Sequence, residues 1–416
     1  MRKGRTDTRG WAPGVEGVFL VMSIYLNNAA TSWPKPETVP EAMTAFLTRG
    51  GANLARGTSS DRDIETLNFV LDCRVRLSTL LGGYGYGESG QPLNVTFCSN
   101  ITEALNTVLR GFLCQGMSVL TSSMEHNAVM RPLRTLERDG VIRVTLIPSD
   151  SNGLMDLKSL QDTLASGHFD LMVMAHASNV CGTIQPVEEI AGMCQKAGVP
   201  LVLDTAQTAG VLPLSAKSLG LAALCFTGHK SLMGPQGTGG IVWDPEFAAR
   251  VSPLVTGGTG SYSHLEFQPD ELPDRFESGT PNLPGIAGLN AALTWLEQEG
   301  TKNILLRERS LGSHLLAGLL ATDGMELAGS HEIDGRLPVF PVNIRGIDNG
   351  ILAGRLSQMG FETRPGLHCA PSAHRTLGTF PQGALRVSPG YFNTLQDIDA
   401  FLDALSAAVR ELKKEA

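Results

Sequence analysis

No apolar run in the 416-residue chain approaches the ~18 positions that a membrane-spanning helix requires, and no two cysteines stand as CxxC. The seven cysteines, Cys73, Cys98, Cys114, Cys181, Cys194, Cys225 and Cys369, are scattered and odd in number. That pattern argues against a disulfide framework or a zinc site, so no metal is expected, and a reducing, cytoplasmic compartment is. Basic charge is not in excess either. The 41 acidic and 33 basic side chains leave a net charge of −8, which gives no reason to expect nucleic acid or a membrane surface as partner. Internal repeats and low-complexity tracts are missing too. An apolar fraction of 42% and a charged fraction of 18% fit a globular protein, and the length allows two lobes.

The opening MRKGRTDTRGWAPG is basic and turn-rich, and GVFLVMSIYL after it is apolar, which imitates a secretory leader. The apolar run nevertheless leads straight into YLNNAATSWPKP, a strand followed by a structured loop rather than a cleavage site. Residues 1–23 are therefore read as an N-terminal extension, disordered or upstream of a true start at Met22.

Helical spacing runs from Glu37 to Thr48 and from Asp61 to Leu81, on either side of the glycine-rich GGANLARGTSS. Six strand-like runs follow: Leu93 to Phe97, Ser118 to Thr121, Val141 to Ile147, Leu171 to His176, Pro200 to Asp204 and Ala222 to Phe226. They alternate with helical segments such as Ile101 to Phe112, Asn127 to Arg138 and Val187 to Ala197. Such alternation predicts an α/β fold with a mostly parallel sheet flanked by helices, and places ligands beyond the carboxyl ends of the strands. A large domain over 24–282 and a smaller α+β domain over 283–416 are expected, the latter from a helix at Ile286 to Gln298, a strand at Val339 to Ile344 and a final helix at Asp397 to Lys414.

The segments after the strands carry polar and charged residues. The first strand gives CSNITEALN, in which Ser99 or Asn100 caps a helix and leaves backbone N–H groups free at Ile101 and Thr102, a place for a phosphate. His126, Asn179, Asp204, Gln207 and Lys230 follow later strands. Each alone is more often a cap, a turn residue or a surface amide; such segments after five of the six strands are harder to dismiss. Lys230 sits after an apolar strand and before Gly234, Gly237, Gly239 and Gly240. Burying its charge is costly unless the amine is paired or deprotonated, and a Schiff base with an aldehyde cofactor is one use that justifies the cost. A lysine emerging into solvent from a glycine-rich turn is the alternative, and these residues alone leave both open.

Together YLNNAATS, SNITEALN, MEHNAV, HASNVCGT, LVLDTAQTAG, FTGHKSLMGPQGTGG, FESGTPN, RPGLHCAP and LRVSPGYFNT resemble the class V aminotransferase family of fold type I pyridoxal phosphate (PLP) enzymes. Within it they are most similar to the cysteine desulfurase and selenocysteine lyase branch. The resemblance implies that Lys230 holds PLP and moves the substrate α-proton, that Asp204 keeps the pyridine nitrogen protonated, that His126 stacks on the ring, and that Gln207 meets the ring hydroxyl. It also implies a phosphate on Ile101 and Thr102, with Thr227 and His229 as further donors, and Thr280 reaching the site of a second subunit in a homodimer. Arg386 would bind the substrate α-carboxylate in two-pronged fashion, assisted by Asn179.

Cys369 corresponds to the family cysteine that takes sulfur from substrate. The expected reaction turns L-cysteine into L-alanine and passes a persulfide on Cys369 to an acceptor protein or small thiol; selenocysteine lysis, transamination or C–S lysis on the same fold are the rivals. His368, Arg364 and Arg386 are read as cations, or potential cations, able to favour the thiolate. Cys181 is read as packing. Two positions depart from the branch: Ser59, where a histidine is usual, and Leu367, where HHC is the commoner reading.

Overall fold

The computed structural model describes residues 23–50, 54, 60–85 and 94–415. The extension expected over residues 1–23, Ser23 apart, and the departure at Ser59 lie outside them. In chain order the first part comprises β1 (Ile24–Tyr25), α1 (Thr38–Ala45), α2 (Asp61–Leu80), β2 (Val95–Cys98), α3 (Ile101–Phe112), β3 (Ser118–Ser122), α4 (Asn127–Arg138), β4 (Arg143–Ile147), α5 (Leu157–Ser166), β5 (Leu171–Ala175), α6 (Val187–Ala197), β6 (Leu201–Asp204), β7 (Ala223–Thr227) and β8 (Gly239–Trp243). The rest comprises α7 (Pro245–Ala248), α8 (Leu283–Glu299), α9 (Thr301–Leu320), β9 (Met325–Leu327), β10 (Phe340–Ile344), α10 (Asn349–Gln358), β11 (Phe361–Glu362), β12 (Arg364–Gly366), α11 (Pro371–Thr376), β13 (Ala384–Val387) and α12 (Leu395–Glu415).

Seven strands in the order β2-β8-β7-β6-β5-β3-β4 make the large sheet. Its central strands are largely apolar runs buried throughout, as in Ala223–Thr227, or at all but the last residue, as in Leu171–Ala175, which a parallel sheet covered on both faces requires. All pairings among β3 to β7 are parallel, while β8 runs antiparallel to both β7 and β2. The carboxyl ends of β2, β3, β5, β6 and β7 therefore meet at one edge. The Gly239–Gly240 step is built into β8 because its neighbours come so close: a Cβ at Gly240 would lie 2.2 Å from the Thr96 carbonyl oxygen.

A four-stranded antiparallel sheet, β12-β13-β10-β9, forms the smaller lobe with α9, α10 and α12. Packing departs from the expected division at residue 283. Leu283, Ile286, Leu289, Leu293 and Leu296 of α8 join the core under the large sheet, and Leu26, just after β1, joins the small-lobe core. We therefore place the lobe boundary after α8, near Gly300, with the first described residues returning to the smaller lobe. No helix among the described residues is long and apolar enough to cross a membrane.

Candidate active site

α3 begins where Asn100 accepts from the Glu103 N–H at 3.0 Å and Glu103 accepts from the Ser99 N–H at 2.8 Å. Asn100, not Ser99, is thus the cap, and the reciprocal bonds fix the turn. The N–H groups of Ile101 and Thr102 find no acceptor among the described residues and point off the helix end. Thr227 is buried, its hydroxyl only 3.4 Å from the Thr238 carbonyl.

Lys230 lies three residues beyond β7, and burial pushes its amine down to about 8, with Asp204 opposing the shift. Burial raises the Asp204 carboxyl above its ordinary value, against the Ala206 N–H it accepts at 2.9 Å and the charge of Lys230. The loop after β1 braces this turn from the other side. Lys35 Nζ donates to the His229 carbonyl and to Ser32 Oγ, both at 2.7 Å, and Ser32 Oγ donates to the Lys230 carbonyl at 2.8 Å. His229 shares a hydrogen bond with Thr31 Oγ1 and is pushed down to about 4 by burial. Gln207 donates to the Ala29 carbonyl at 3.1 Å.

His126 caps α4: its Nδ1 accepts from the Ala128 N–H at 3.0 Å, so the ring proton sits on Nε2. The ring is neutral, pushed down to about 4 by burial and by Lys230. Capping and a role toward a ligand are compatible, because they use different nitrogens. Glu125 beside it is completely buried and pushed up to about 8; it accepts from Ala175 N at 2.9 and 3.1 Å and bonds Ser122 Oγ.

Arg364 and Arg386 stand directly opposite each other on β12 and β13. Like charges at a cross-strand pair are destabilising. Arg386 is 1% exposed, with Nη1 on the Asn179 carbonyl at 2.9 Å, Nη2 on Asn27 Oδ1 at 3.0 Å, and Nε without a partner. No carboxylate among the described residues pairs with it, and burial, then Arg364, push it down to about 9. Such a cation is set up for an anion supplied from outside.

Cys369 is exposed at the end of β12, before α11. His368 and Cys369 adopt φ of +50° and +56°, a conformation that costs a non-glycine residue roughly 1–3 kcal/mol. Two bonds from elsewhere hold them there, Asn127 N–H to the Cys369 carbonyl at 2.7 Å and Asn179 Nδ2 to the His368 carbonyl at 2.8 Å, and the Ala370 N–H closes the turn on the Leu367 carbonyl at 2.8 Å. Arg364 Nη2 lies 3.9 Å from Sγ.

His368 departs from expectation. Its ring is buried, donates through Nε2 to the Arg364 carbonyl at 2.9 Å, and is pushed down to about 3 by burial and Arg386. It is neutral and engaged away from the thiol, so of the expected cations only the two arginines remain. Cys181 is buried among Met124, Val180, Ala370 and Ala373.

Lys230 lies within electrostatic reach of Asp204, Arg386, Arg364 and Cys369, and His126 within reach of Lys230, Arg364 and Arg386. Thr280 does not join them in the same chain. It lines a separate cavity of about 450 Å³ with Ser99, Glu103, Gly237, Thr238 and Glu277. Asn27, Lys35 and Glu125 were missed, because nothing local in the sequence marks them. Among the described residues no group of three His, Cys, Asp or Glu side chains is placed to hold a metal ion. A lysine with a lowered pKa, a buried carboxylate facing it and open N–H groups at a helix start do fit an aldehyde cofactor carrying a phosphate.

The family model described as aminotransferase class-V matches residues 24–401. A probable cysteine desulfurase of Pyrococcus abyssi is 30% identical over 399 residues, covering 94% of this chain and 95% of its own. One of Pseudomonas aeruginosa is 32% identical over 397 residues, 94% of each. Among solved structures, the apo cysteine desulfurase of Thermococcus onnurineus NA1 superposes with a TM-score of 0.86 at 27% identity, covering 94% of this chain and 95% of that one. A cysteine desulfurase of Escherichia coli does so at 0.82 and 25%, with the same coverage.

Proposed function

The chain belongs to the class-V aminotransferase family, and we propose that it is a PLP-dependent cysteine desulfurase that turns L-cysteine into L-alanine and receives the sulfur on Cys369. The observation that carries this reading is the exposed thiol, held on a pinned turn within reach of an unpaired buried arginine and of Lys230. Relatives and structural neighbours bearing that name support it.

PLP, when bound, supplies an electron sink for the substrate α-carbon. Lys230 would hold it, Asp204 would keep its ring nitrogen protonated, and Gln207 and His126 would help to retain the ring. Ile101 and Thr102 N–H, Thr227 and His229 take the phosphate. Arg386 binds the α-carboxylate and Asn179 helps fix both Arg386 and the Cys369 turn. With substrate so oriented, Lys230 Nζ moves the α-proton. The Cys369 thiolate then forms an S–S bond with the substrate sulfur as the C–S bond breaks, the electron pair passing to the carbon skeleton that leaves as alanine. Arg364, with Nη2 3.9 Å from Sγ, faces the negative charge that develops on sulfur during the transfer.

A homodimer completes the site in this reading, Thr280 of one copy serving the other. Support comes from Leu254 and Val255, exposed apolar residues that line the Thr280 cavity, and from Leu265 and Phe267 further along the same loop, with Phe267 86% exposed. Seven unpaired thiols support a cytoplasmic setting, and an acceptor protein or small thiol would take the sulfur onward.

The test is an alanine and sulfide assay on PLP-loaded protein with L-cysteine and a reductant, wild type beside Cys369→Ala. Equal amounts of alanine and sulfide, lost in the variant, are expected. Pyruvate and ammonia, or a keto acid, in place of alanine would move the chain to another reaction of the family.

A further inference from the structure

The turn bearing Cys369 is held from a direction that the proposed reaction does not use. Behind it, His368 Nδ1 lies 3.1 Å from His374 Nε2, and His374 Nδ1 lies 2.7 Å from Thr379 Oγ1. Both rings are buried, His374 completely, and their centroids are 5.2 Å apart. The first member of this chain sets the direction of every bond in it. Because the Arg364 carbonyl can only accept, His368 Nε2 carries the proton and Nδ1 is an acceptor. His374 must then donate from Nε2, which leaves its Nδ1 to accept from the Thr379 hydroxyl.

The chain ties three separate pieces of backbone together. It begins on β12, crosses the strained turn through the side chain of one of its two strained residues, and ends beyond α11 at Thr379. The His374 backbone closes the loop, its N–H on the Ala370 carbonyl at 3.2 Å and its carbonyl receiving the Thr379 N–H at 2.9 Å. The left-handed conformation of His368 and Cys369 is thus anchored on the substrate side by Asn127 and Asn179, and on the far side by imidazole. Without His374, the buried Nδ1 of His368 loses its only donor among the described residues, and the ring has reason to turn toward other partners or solvent.

We propose that His374 is a positioning residue: acting through His368, it holds the turn that aims the Cys369 thiol at the substrate sulfur. This rests on the reading of Cys369 as the sulfur acceptor. Its consequence is selective. Substrate is bound by Arg386, which His374 does not touch, so loss of His374 slows sulfur transfer without weakening cysteine binding.

The test uses PLP-loaded wild type, His374→Ala, His374→Gln and Thr379→Val. For His374→Ala the expected result is a kcat about tenfold lower with KM for L-cysteine within about twofold. Amide hydrogen exchange in the segment 367–370 should rise about tenfold, with β6 and β7 unchanged. Gln, which can place an amide N–H near the position of Nε2, should recover kcat to within about threefold of wild type; Thr379→Val should fall in the same direction by about two- to threefold. A kcat within twofold of wild type, an equal loss in KM, or unaltered exchange at 367–370 would overturn the proposal. If His374→Ala does not fold, Thr379→Val decides it: a kcat and an exchange at 367–370 equal to those of wild type would overturn the proposal. Should wild type form no alanine from cysteine, the functional reading fails, while the exchange at 367–370 still decides whether His374 holds the turn.

Discussion

Replacing Arg386 by lysine tests how substrate is held. The guanidinium spends one Nη bond on the Asn179 carbonyl and one on Asn27 Oδ1, leaving Nε and the remaining Nη protons for a carboxylate. Lysine keeps the charge but is a point donor that cannot span both carboxylate oxygens while serving Asn27 and Asn179. At least one charge-assisted hydrogen bond is lost, about 1.5–3 kcal/mol, or roughly 10- to 150-fold in binding. Because the carboxylate takes no part in breaking the C–S bond, the loss falls on ground and transition states alike: KM for L-cysteine rises by that factor and kcat stays within about threefold. Initial rates of alanine formation over a range of cysteine concentrations measure both. A KM within twofold of wild type would refute carboxylate binding by Arg386.

Lys230, pushed down to about 8, should make the rate at which cofactor-free protein takes up PLP rise about tenfold between pH 7 and 9 and then level off; a rate still climbing steeply above pH 9 would contradict the lowered value. Glu125, pushed from 4.5 to about 8 by burial, stays protonated in the fold while the unfolded chain has already lost its proton. Its stabilising effect is full below about pH 4.5 and disappears as pH rises through about 8, a loss of roughly 4–5 kcal/mol at most. Urea unfolding at pH 5 and pH 9 should therefore show a smaller pH-dependent loss in Glu125→Gln than in wild type, and equal losses would count against the assignment. Glu277 pairs with the buried Arg74 at 2.5 Å and accepts from the Phe97 N–H at 2.6 Å, so Glu277→Ala should lower stability by about 3–5 kcal/mol in the same experiment. A change below 1 kcal/mol would mean that the pair is dispensable.

The parallel strands were legible because each is a short apolar run with a polar turn after it; Asp204 ends one such strand, and Asn179 and Lys230 lie in the turns after two others. β8 was not legible: glycines that read as a turn are there to let β2 and β7 approach. The helix α8 has the right periodicity, but nothing in its own residues says that its apolar face joins the large core. The same limit explains His368. Its place beside Cys369 suggested a cation, whereas burial and then Arg386 keep it neutral, and both depend on how the smaller lobe folds around it. Asn27 and Lys35 act across nearly 200 residues or more, on Arg386 and His229. Arg364 and Arg386 were legible as cations; their cross-strand opposition, the strongest sign of an anion site, belongs to the register of β12 and β13.

Whether sulfur lands on Cys369 can be read directly. PLP-loaded protein mixed with one equivalent of L-cysteine and no acceptor, then alkylated, digested and analysed by mass spectrometry, should carry one additional sulfur atom on the Cys369 peptide, in step with the alanine formed. Alanine and sulfide released at the wild-type rate by Cys369→Ala, with no sulfur found on Cys369 in the wild type, would contradict the account at its centre.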